Sequence, residues 1–177
     1  MSDERLSKLL SFVLRHRPAA VGLSLDPGGW VPLDVLVEAL IRHGHQATRA
    51  RVLEVVRSSD KQRFALDGDR IRASHGHSQP VELGYAAEPP PAVLFHGTVT
   101  RALDGIRARG LERGRRQHVH LSPSPAQAAE VGRRRGAPVV LEIRAAELAA
   151  AGHALRRAPN NVWLADAVPP AFIRFPD

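Results

Sequence analysis

The hydrophobic positions in the first part of the chain repeat with the spacing of three helices followed by two short strands. Apolar side chains share one helical face over residues 3–16, again between Pro32 and Gly44, and again after Thr48. Two short apolar stretches then flank Asp67-Gly68-Asp69, a combination that strongly favours a β-hairpin. Three helices and a hairpin predict a winged-helix domain.

Later in the chain the pattern changes to short apolar strands that alternate with two helices. One helix is expected over about 99–109, ended by Gly110, and a second is expected to begin at Ser124-Pro125. Several short strands and two helices indicate an α+β domain with a small split sheet. The predicted strands of the whole chain are 63–66, 70–73, 93–96, 119–121, 139–144, 162–164 and 172–175.

The residues between these two patterns lack periodicity and include Pro89-Pro90-Pro91, which favours a linker. We therefore predict an α+β protein with a winged-helix lobe over 1–76, a linker over 77–91 and a second lobe over 92–177. The periodicity alone assigns no chemistry to either lobe.

Composition narrows the class of protein. The chain of 177 residues has no cysteine, which excludes disulfides and thiolate metal sites. No apolar run approaches the roughly 18 residues that span a bilayer, and the N-terminus is acidic, so we expect a cytoplasmic protein that does not contact membranes. The formal net charge is +7, and all but two of the 25 basic residues are arginine. Arginine suits an anionic partner such as phosphate, but a GC-rich genome would give the same bias.

Two basic segments of the first lobe are candidates for phosphate chemistry. Arg15 and His16 lie at the end of the first helix, where a guanidinium beside an imidazole could hold a phosphate and move a proton. Taken alone, a solvated helix end is the simpler interpretation, because basic residues suit the helix dipole. Arg63, within Asp60-Lys61-Gln62-Arg63-Phe64, lies in a segment that by itself predicts only a charged turn entering a strand.

Histidines are the candidates of the second lobe. His96 and Gly97 end a predicted strand, where a ligand could approach the backbone closely. His118 and His120 point the same way in another strand, a spacing that zinc or copper can use. No further cluster of ligands accompanies them, so we expect no metal. The chain also lacks the glycine-rich motifs of Rossmann and P-loop nucleotide binding.

The order of these motifs resembles the tRNA 2'-phosphotransferase family over residues 5 to 175. The segments that carry the resemblance are LSKLLSFVLRH at 6–16, DKQRF at 60–64, FHGT at 95–98, GL at 110–111, RQHVHLS at 116–122, NVWLADAVP at 161–169 and FI at 172–173. Chance agreement of so many ordered motifs is remote.

The resemblance implies a winged-helix RNA-binding lobe and an NAD-binding lobe related to ADP-ribosyltransferases. It implies an NAD-dependent RNA 2'-phosphotransferase that moves an internal RNA 2'-phosphate to ADP-ribose through an ADP-ribosylated RNA intermediate. The implied products are 2'-hydroxyl RNA, ADP-ribose 1'',2''-cyclic phosphate and nicotinamide, with NAD consumed and no metal required. RNA bearing an internal 2'-phosphate is the implied partner, and no obligate protein partner is evident.

The resemblance also assigns roles to individual residues. The family's catalytic tetrad corresponds to Arg15, His16, Arg63 and Arg116, with Arg113 and Arg115 as alternatives for the last position. The implied NAD-binding residues are His96, Gly97, Thr98, Gly110, Leu111, His120, Ser122 and Val162. Asn161 departs from the glycine that is more usual there, but asparagine tolerates left-handed backbone geometry.

Two other functions compete with this interpretation. An ADP-ribosyltransferase could act on terminal phosphates of nucleic acids, because the first step needs only a phosphate. Protein modification is disfavoured, since protein-modifying relatives usually carry a polar residue where this chain has Val162. A non-enzymatic winged-helix nucleic-acid binder is the second alternative. The sequence leaves the physiological RNA and the oligomeric state open.

Overall fold

The computed structural model describes residues 1–59 and 61–176 and divides into two compact units, Met1–Gly84 and Tyr85–Asp177. The boundary falls inside the predicted linker. Asp60, the first residue of the DKQRF motif, and Asp177 lie outside the described residues. Within the described part of the chain, no helix is long and apolar enough to cross a membrane.

The N-terminal unit contains three helices and one small antiparallel sheet. The elements are α1 (Asp3–Arg15), a 3-10 helix (Pro18–Val21), β1 (Val31–Pro32), α2 (Leu33–Arg42), α3 (Arg49–Arg57), β2 (Phe64–Asp67) and β3 (Arg70–Ala73). The strand order is β1-β3-β2, and the β2–β3 hairpin turns at Gly68-Asp69 as the sequence predicts. Strand β1 was not predicted, because two residues are too few to show a periodicity.

Side-chain caps and one apolar face per helix explain why these helices form where they do. The hydroxyls of Ser2 and Thr48 accept hydrogen bonds from amides of the first turns of α1 and α3. Helix α1 buries the apolar face that its periodicity predicts, and α2 packs in the same core. The fully buried large side chains of this core are Leu6, Leu10, Leu14, Leu33, Leu36, Leu40 and Ile71.

The segment predicted as a linker is largely ordered. Val81 and Leu83 are buried, and the Glu82 amide donates a hydrogen bond to the carbonyl of Pro27. In the C-terminal unit, the Glu88 amide donates to the carbonyl of Leu155. Each half of the segment therefore packs on its own unit, through backbone hydrogen bonds that a hydrophobic pattern does not reveal.

The C-terminal unit combines three helices with small antiparallel sheets, which confirms the α+β class. Its elements are β4 (Leu94–Val99), a 3-10 helix (Thr100–Ala102), α4 (Leu103–Arg109), β5 (Leu111–Glu112), β6 (Val119–Leu121), α5 (Pro125–Arg133), β7 (Pro138–Ile143), α6 (Ala145–Ala150), β8 (Leu155–Arg157), β9 (Trp163–Ala165), β10 (Ala167–Val168), a 3-10 helix (Pro170–Phe172) and β11 (Ile173–Arg174). The strand orders of its three sheets are β11-β7-β4, β6-β9-β8 and β10-β5.

Three predictions for this unit were wrong in detail. Strand β4 continues to Val99 instead of ending at His96, because its pairing with β7 extends that far. A third helix, α6, follows β7, although its short alanine-rich sequence shows no clear apolar face. Strands β5, β8 and β10 were not predicted, since each contains only two or three residues.

Strand β4 and helix α5 approach each other closely because two glycines lie at their contact. A Cβ atom on Gly97 would overlap the backbone carbonyl of Ala128, lying 2.6 Å from its carbon. A Cβ atom on Gly132, within α5, would lie 2.9 Å from the carbonyl oxygen of Thr98. The two backbones therefore touch where side chains would otherwise separate them.

Candidate active site

The end of helix α1 brings Arg15 and His16 to the loop that follows β3. The His16 Nδ1 atom and the Ser78 hydroxyl share a hydrogen bond of 3.1 Å, and Gln79 donates from its amide to the carbonyl of His16 at 3.0 Å. The Ser78 amide also donates to the carbonyl of Arg15. The 78–79 loop therefore fixes both residues, which is a more defined environment than a solvated helix end.

Arg63 belongs to the same cluster in the N-terminal unit. The Arg15 guanidinium donates to the backbone carbonyl of Arg63 at 3.4 Å, and the Arg63 guanidinium donates to the Ser7 hydroxyl at 3.3 Å. Gln62, just before Arg63, has a positive φ of 38°. The backbone turns there, immediately before β2. The structure thus brings together the three tetrad positions that lie in this unit.

His96 and His120 meet in the C-terminal unit. An antiparallel bridge joins Phe95 to Ser122, with each amide donating to the other residue's carbonyl. This bridge brings the side chain of His96 to the carbonyl of His120, and Nδ1–H donates to it at 2.9 Å. Since a carbonyl oxygen only accepts, the neutral His96 ring carries its proton on Nδ1 and presents Nε2 as an acceptor.

Burial lowers the pKa of His96 below its usual value, and the nearby charge of Arg135 lowers it further, while the hydrogen bond to His120 acts in the opposite direction. The ring is therefore neutral at neutral pH. A neutral imidazole with a free acceptor nitrogen suits a hydroxyl donor better than an anion. This property favours a hydroxyl group as the partner of His96.

Arg116 contacts the second histidine directly. Its Nη1 atom donates to His120 Nδ1 at 2.9 Å, which leaves the neutral His120 ring protonated on Nε2. Burial lowers the pKa of Arg116, and the charges of Arg135 and Arg134 lower it further, yet a guanidinium stays charged at neutral pH. Of the three arginines that the resemblance leaves open, Arg116 is the one with a hydrogen bond to His120.

A pocket of about 410 Å³ opens beside His96. Four of the eight predicted NAD-binding residues line it, together with arginines, glycines and one glutamate. The lining includes His96, Thr98, Gly110, Leu111, Arg101, Arg135 and Glu112.

The other four predicted binding residues are not part of the pocket wall. His120 and Ser122 belong to the bridged strand segment described above, and Val162 directly precedes β9, which pairs with β6. Gly97 is buried, and its missing side chain accommodates helix α5. Close packing explains Gly97 without any ligand, which differs from the predicted close approach of a ligand to its backbone.

His118 and His120 have different partners in the structure. Its Nε2 atom lies 3.9 Å from a carboxylate oxygen of Asp166, and burial is the main cause of its lowered pKa. His120 instead accepts from Arg116. Among residues 1–59 and 61–176, no three histidine or carboxylate side chains are grouped closely enough to hold a metal ion.

Sequence reasoning missed four residues at these clusters: Ser78, Gln79, Arg101 and Arg135. The first two lie in the segment predicted as a linker, and the last two lie in no motif. Only the tertiary fold brings them to His16 and His96, so no sequence signal could have identified them.

On an α+β fold, guanidinium groups beside imidazoles suit an enzyme that handles phosphate-bearing substrates. A family model described as RNA 2'-phosphotransferase, Tpt1 / KptA family, matches residues 1–167. The chain belongs to this family, and it is a transferase. The expected resemblance is thereby confirmed.

Curated relatives agree over nearly the full length of the chain. A protein of Pseudomonas aeruginosa (strain UCBPP-PA14), named "Probable RNA 2'-phosphotransferase", is 54% identical over 171 residues, which cover 95% of this chain and 94% of that protein. Proteins with the same name from Burkholderia lata and Streptomyces coelicolor are 50% and 49% identical, covering 96% and 99% of this chain and 89% and 98% of their own lengths.

Proposed function

We propose that this RNA 2'-phosphotransferase uses NAD as its phosphate acceptor and acts on an internal 2'-phosphate of RNA. In this proposal the N-terminal unit is a winged-helix RNA-binding lobe. The C-terminal unit is an NAD-binding lobe of the ADP-ribosyltransferase type. The observation that carries the proposal is the hydrogen-bonded series from His96 through His120 to Arg116, at the edge of an arginine-lined pocket.

The residues of the C-terminal unit fit a dinucleotide. NAD supplies an electrophilic ribose carbon with nicotinamide as a good leaving group. The neutral His96 ring offers Nε2 to a ribose hydroxyl. The pocket beside it is lined by three arginines, whose guanidinium groups suit phosphate oxygens, and by one glutamate that pairs with one of them. Val162 offers no polar group to a protein acceptor at the position where protein-modifying relatives usually carry one, which favours a substrate that carries its own nucleophile.

The RNA 2'-phosphate is that nucleophile, so the enzyme needs no serine or cysteine for the first step. The protein's task is to hold a dianion and to stabilise charge during the second step, when a ribose hydroxyl attacks the phosphorus and the RNA 2'-oxygen leaves. We assign the phosphate to Arg15, His16, Arg63 and Arg116. Bidentate guanidinium groups stabilise the charge that builds on the phosphate oxygens.

Proton transfer in the second step falls to His16. A hydroxyl must lose its proton to attack, and the leaving oxygen must gain one. An imidazole can perform both transfers, because it can accept and donate a proton. The hydrogen bond with Ser78 orients this ring. His16 is therefore proposed as the acid–base group, and the arginines as charge stabilisers.

The test is incubation of the purified protein with NAD and a short RNA bearing one internal 2'-phosphate, with the products resolved by mass. We expect 2'-hydroxyl RNA, nicotinamide and ADP-ribose 1'',2''-cyclic phosphate in equal amounts, and no reaction without NAD. Matched RNAs with the phosphate at the 5' or 3' end test the alternative. If only the RNAs with terminal phosphates react, and their ends stay ADP-ribosylated, this proposal is wrong. The protein would then be an ADP-ribosyltransferase that acts on terminal phosphates.

Binding of RNA without any dependence on NAD, and without turnover of either substrate, would instead support a non-enzymatic nucleic-acid binder. A His96→Ala variant provides a matched control in the same assay. It should lose NAD use while keeping its affinity for the RNA, because His96 is assigned to the ribose and not to the phosphate.

A further inference from the structure

The ring of His16 contacts one side chain of the loop that follows β3. The Nδ1 atom of His16 lies 3.1 Å from the hydroxyl oxygen of Ser78. The same hydroxyl lies 3.5 Å from the backbone carbonyl oxygen of Arg15, which also accepts from the Ser78 amide. One serine side chain therefore contacts both the imidazole and the backbone at the end of helix α1.

The backbone on either side of this hydroxyl is held by other contacts. His77, the residue before Ser78, is buried in the N-terminal unit. The Ser78 amide donates to the Arg15 carbonyl at 2.9 Å, and the side-chain amide of Gln79 donates to the carbonyl of His16 at 3.0 Å. The position of the Ser78 hydroxyl beside the ring is therefore a consequence of the fold and does not depend on the ring itself.

The partners of the hydroxyl indicate which ring nitrogen of His16 carries the proton. A serine hydroxyl has one hydrogen to donate, and a carbonyl oxygen can only accept. When the Ser78 hydroxyl donates to the Arg15 carbonyl, its oxygen accepts from the ring, so that Nδ1 is the protonated nitrogen. The carbonyl oxygen has two lone pairs and can accept from both the amide and the hydroxyl of Ser78.

We propose that Ser78 is a positioning residue that keeps the neutral His16 ring protonated on Nδ1, so that Nε2 exchanges protons with the substrate in the second step. This proposal rests on the proposed function. The ribose hydroxyl gives its proton to Nε2 while its oxygen bonds to phosphorus. The bond between phosphorus and the RNA 2'-oxygen breaks, and that oxygen takes the proton back from Nε2. Because Nδ1–H donates to Ser78 throughout, the ring does not have to turn between the two transfers.

The opposite tautomer would give the ring a different role. With the proton on Nε2, Nδ1 would accept from the Ser78 hydroxyl, which would then give up its contact with the Arg15 carbonyl. Nε2–H could donate to a phosphate oxygen but could not take the proton of the ribose hydroxyl. The contact between the hydroxyl and the Arg15 carbonyl favours the first arrangement.

Heteronuclear NMR of the histidine rings measures the tautomer directly and needs no turnover. Spectra of the free protein are recorded at about pH 8, above the ordinary histidine pKa of about 6.5, and the His16 signals are assigned by their loss in His16→Gln. We expect the proton on Nδ1 in the wild type and in Ser78→Thr, which keeps the hydroxyl. Ser78→Ala should show a mixture of both tautomers. Gln79→Ala is the matched control, because it removes a contact to the His16 backbone and leaves the partner of the ring.

Kinetic assays then test whether the tautomer matters for the second step alone. ADP-ribosylated RNA, collected from the slow variant Arg63→Ala, is mixed with an excess of each protein. We expect Ser78→Ala to release 2'-hydroxyl RNA about three- to tenfold more slowly, as for the loss of one neutral hydrogen bond, and to release nicotinamide from NAD within about twofold of the wild-type rate. Ser78→Thr should recover most of the rate, and Ser24→Ala, at another exposed serine of the same unit, should match the wild type. Thermal melts confirm that the variants are folded.

A wild-type ring protonated on Nε2, or an unchanged tautomer in Ser78→Ala, overturns the proposal. A second step in Ser78→Ala that stays within twofold of the wild type despite a changed tautomer also overturns it. Equal slowing of both steps overturns it as well, because Ser78 would then support the structure of the site in general. If the wild type does not process the RNA, the proposed function fails, and the NMR result alone decides whether Ser78 sets the proton position on His16.

Discussion

Gly97 lies where strand β4 packs against helix α5, and we expect Gly97→Ala to destabilise the C-terminal unit. The new methyl group would overlap the carbonyl oxygen of Ala128, and it would lie 2.6 Å from the carbonyl carbon and 3.0 Å from the amide nitrogen of Gly132. Carbon atoms pack favourably at about 3.5–4.0 Å, so strand and helix would have to separate by more than about 1 Å. Overpacking typically costs about 1–3 kcal/mol. Because all these neighbours are backbone atoms that cannot rotate away, we expect a cost of at least about 3 kcal/mol.

Two other glycines of the same unit provide matched controls. Gly105 and Gly132 are both helical, so alanine would by propensity alone stabilise each helix by about 1 kcal/mol. At Gly105 the nearest atom is the flexible end of Arg109, at 3.4 Å, so we expect that gain. At Gly132 the carbonyl oxygen of Thr98 is 2.9 Å away, so we expect a net loss smaller than for Gly97.

Urea denaturation followed by circular dichroism measures the free energy of unfolding of the three variants. The expected order of stability is Gly105→Ala, wild type, Gly132→Ala and Gly97→Ala. The opposing hypothesis is that Gly97 lets a ligand approach the backbone. If Gly97→Ala unfolds at the wild-type midpoint but binds ADP-ribose more weakly, that hypothesis is correct and the packing argument is wrong.

Three further predictions concern the chemistry. Arg63→Ala or His16→Ala should slow release of 2'-hydroxyl RNA about a hundredfold, for a loss of about 3 kcal/mol of phosphate stabilisation. ADP-ribosylated RNA should then accumulate as a slower gel band, and inactivity with no such band at any time point would refute the division between steps. Since the pKa of His96 is lowered in the folded protein, its contribution to stability is present above about pH 6.5 and is lost as the pH falls through the folded pKa. Thermal melts from pH 7 to 5 should show a smaller loss in His96→Asn than in the wild type or His45→Gln, and equal losses would contradict this. Because arginines carry the positive charge of the proposed phosphate site, activity should survive EDTA, and a loss that zinc or magnesium restores would overturn this expectation.

The helices of the N-terminal unit and its hairpin could be predicted closely, because their signals are local. Ser2 and Thr48 cap helices that begin at the next residue, and the hairpin over 64–73 turns where the glycine predicts. The two-residue strands β1, β5 and β10 could not be predicted. Their existence depends on partners far away in the sequence, and two residues carry no measurable period.

In the candidate site, too, local sequence motifs predicted some residues, whereas others are brought there only by contacts between distant parts of the chain. The motifs predicted that Arg15, His16 and Arg63 are functional, and the structure brings these three together, but their clustering depends on the loop around Ser78. Arg135 is invisible in the sequence, because an arginine at a helix end has an ordinary explanation. Only its position in the pocket wall distinguishes it.

The bridge between Phe95 and Ser122 makes the hydrogen exchange of these two backbone amides a measure of whether the pocket is occupied. Each amide proton is held by the other residue's carbonyl, next to the histidines that the bridge positions. A backbone movement that separates Phe95 from Ser122 lengthens this reciprocal pair, and an opened pair exchanges its protons with solvent. Deuterium uptake by peptides that contain these two residues should therefore slow when a dinucleotide fills the pocket, even in a variant that cannot complete the reaction.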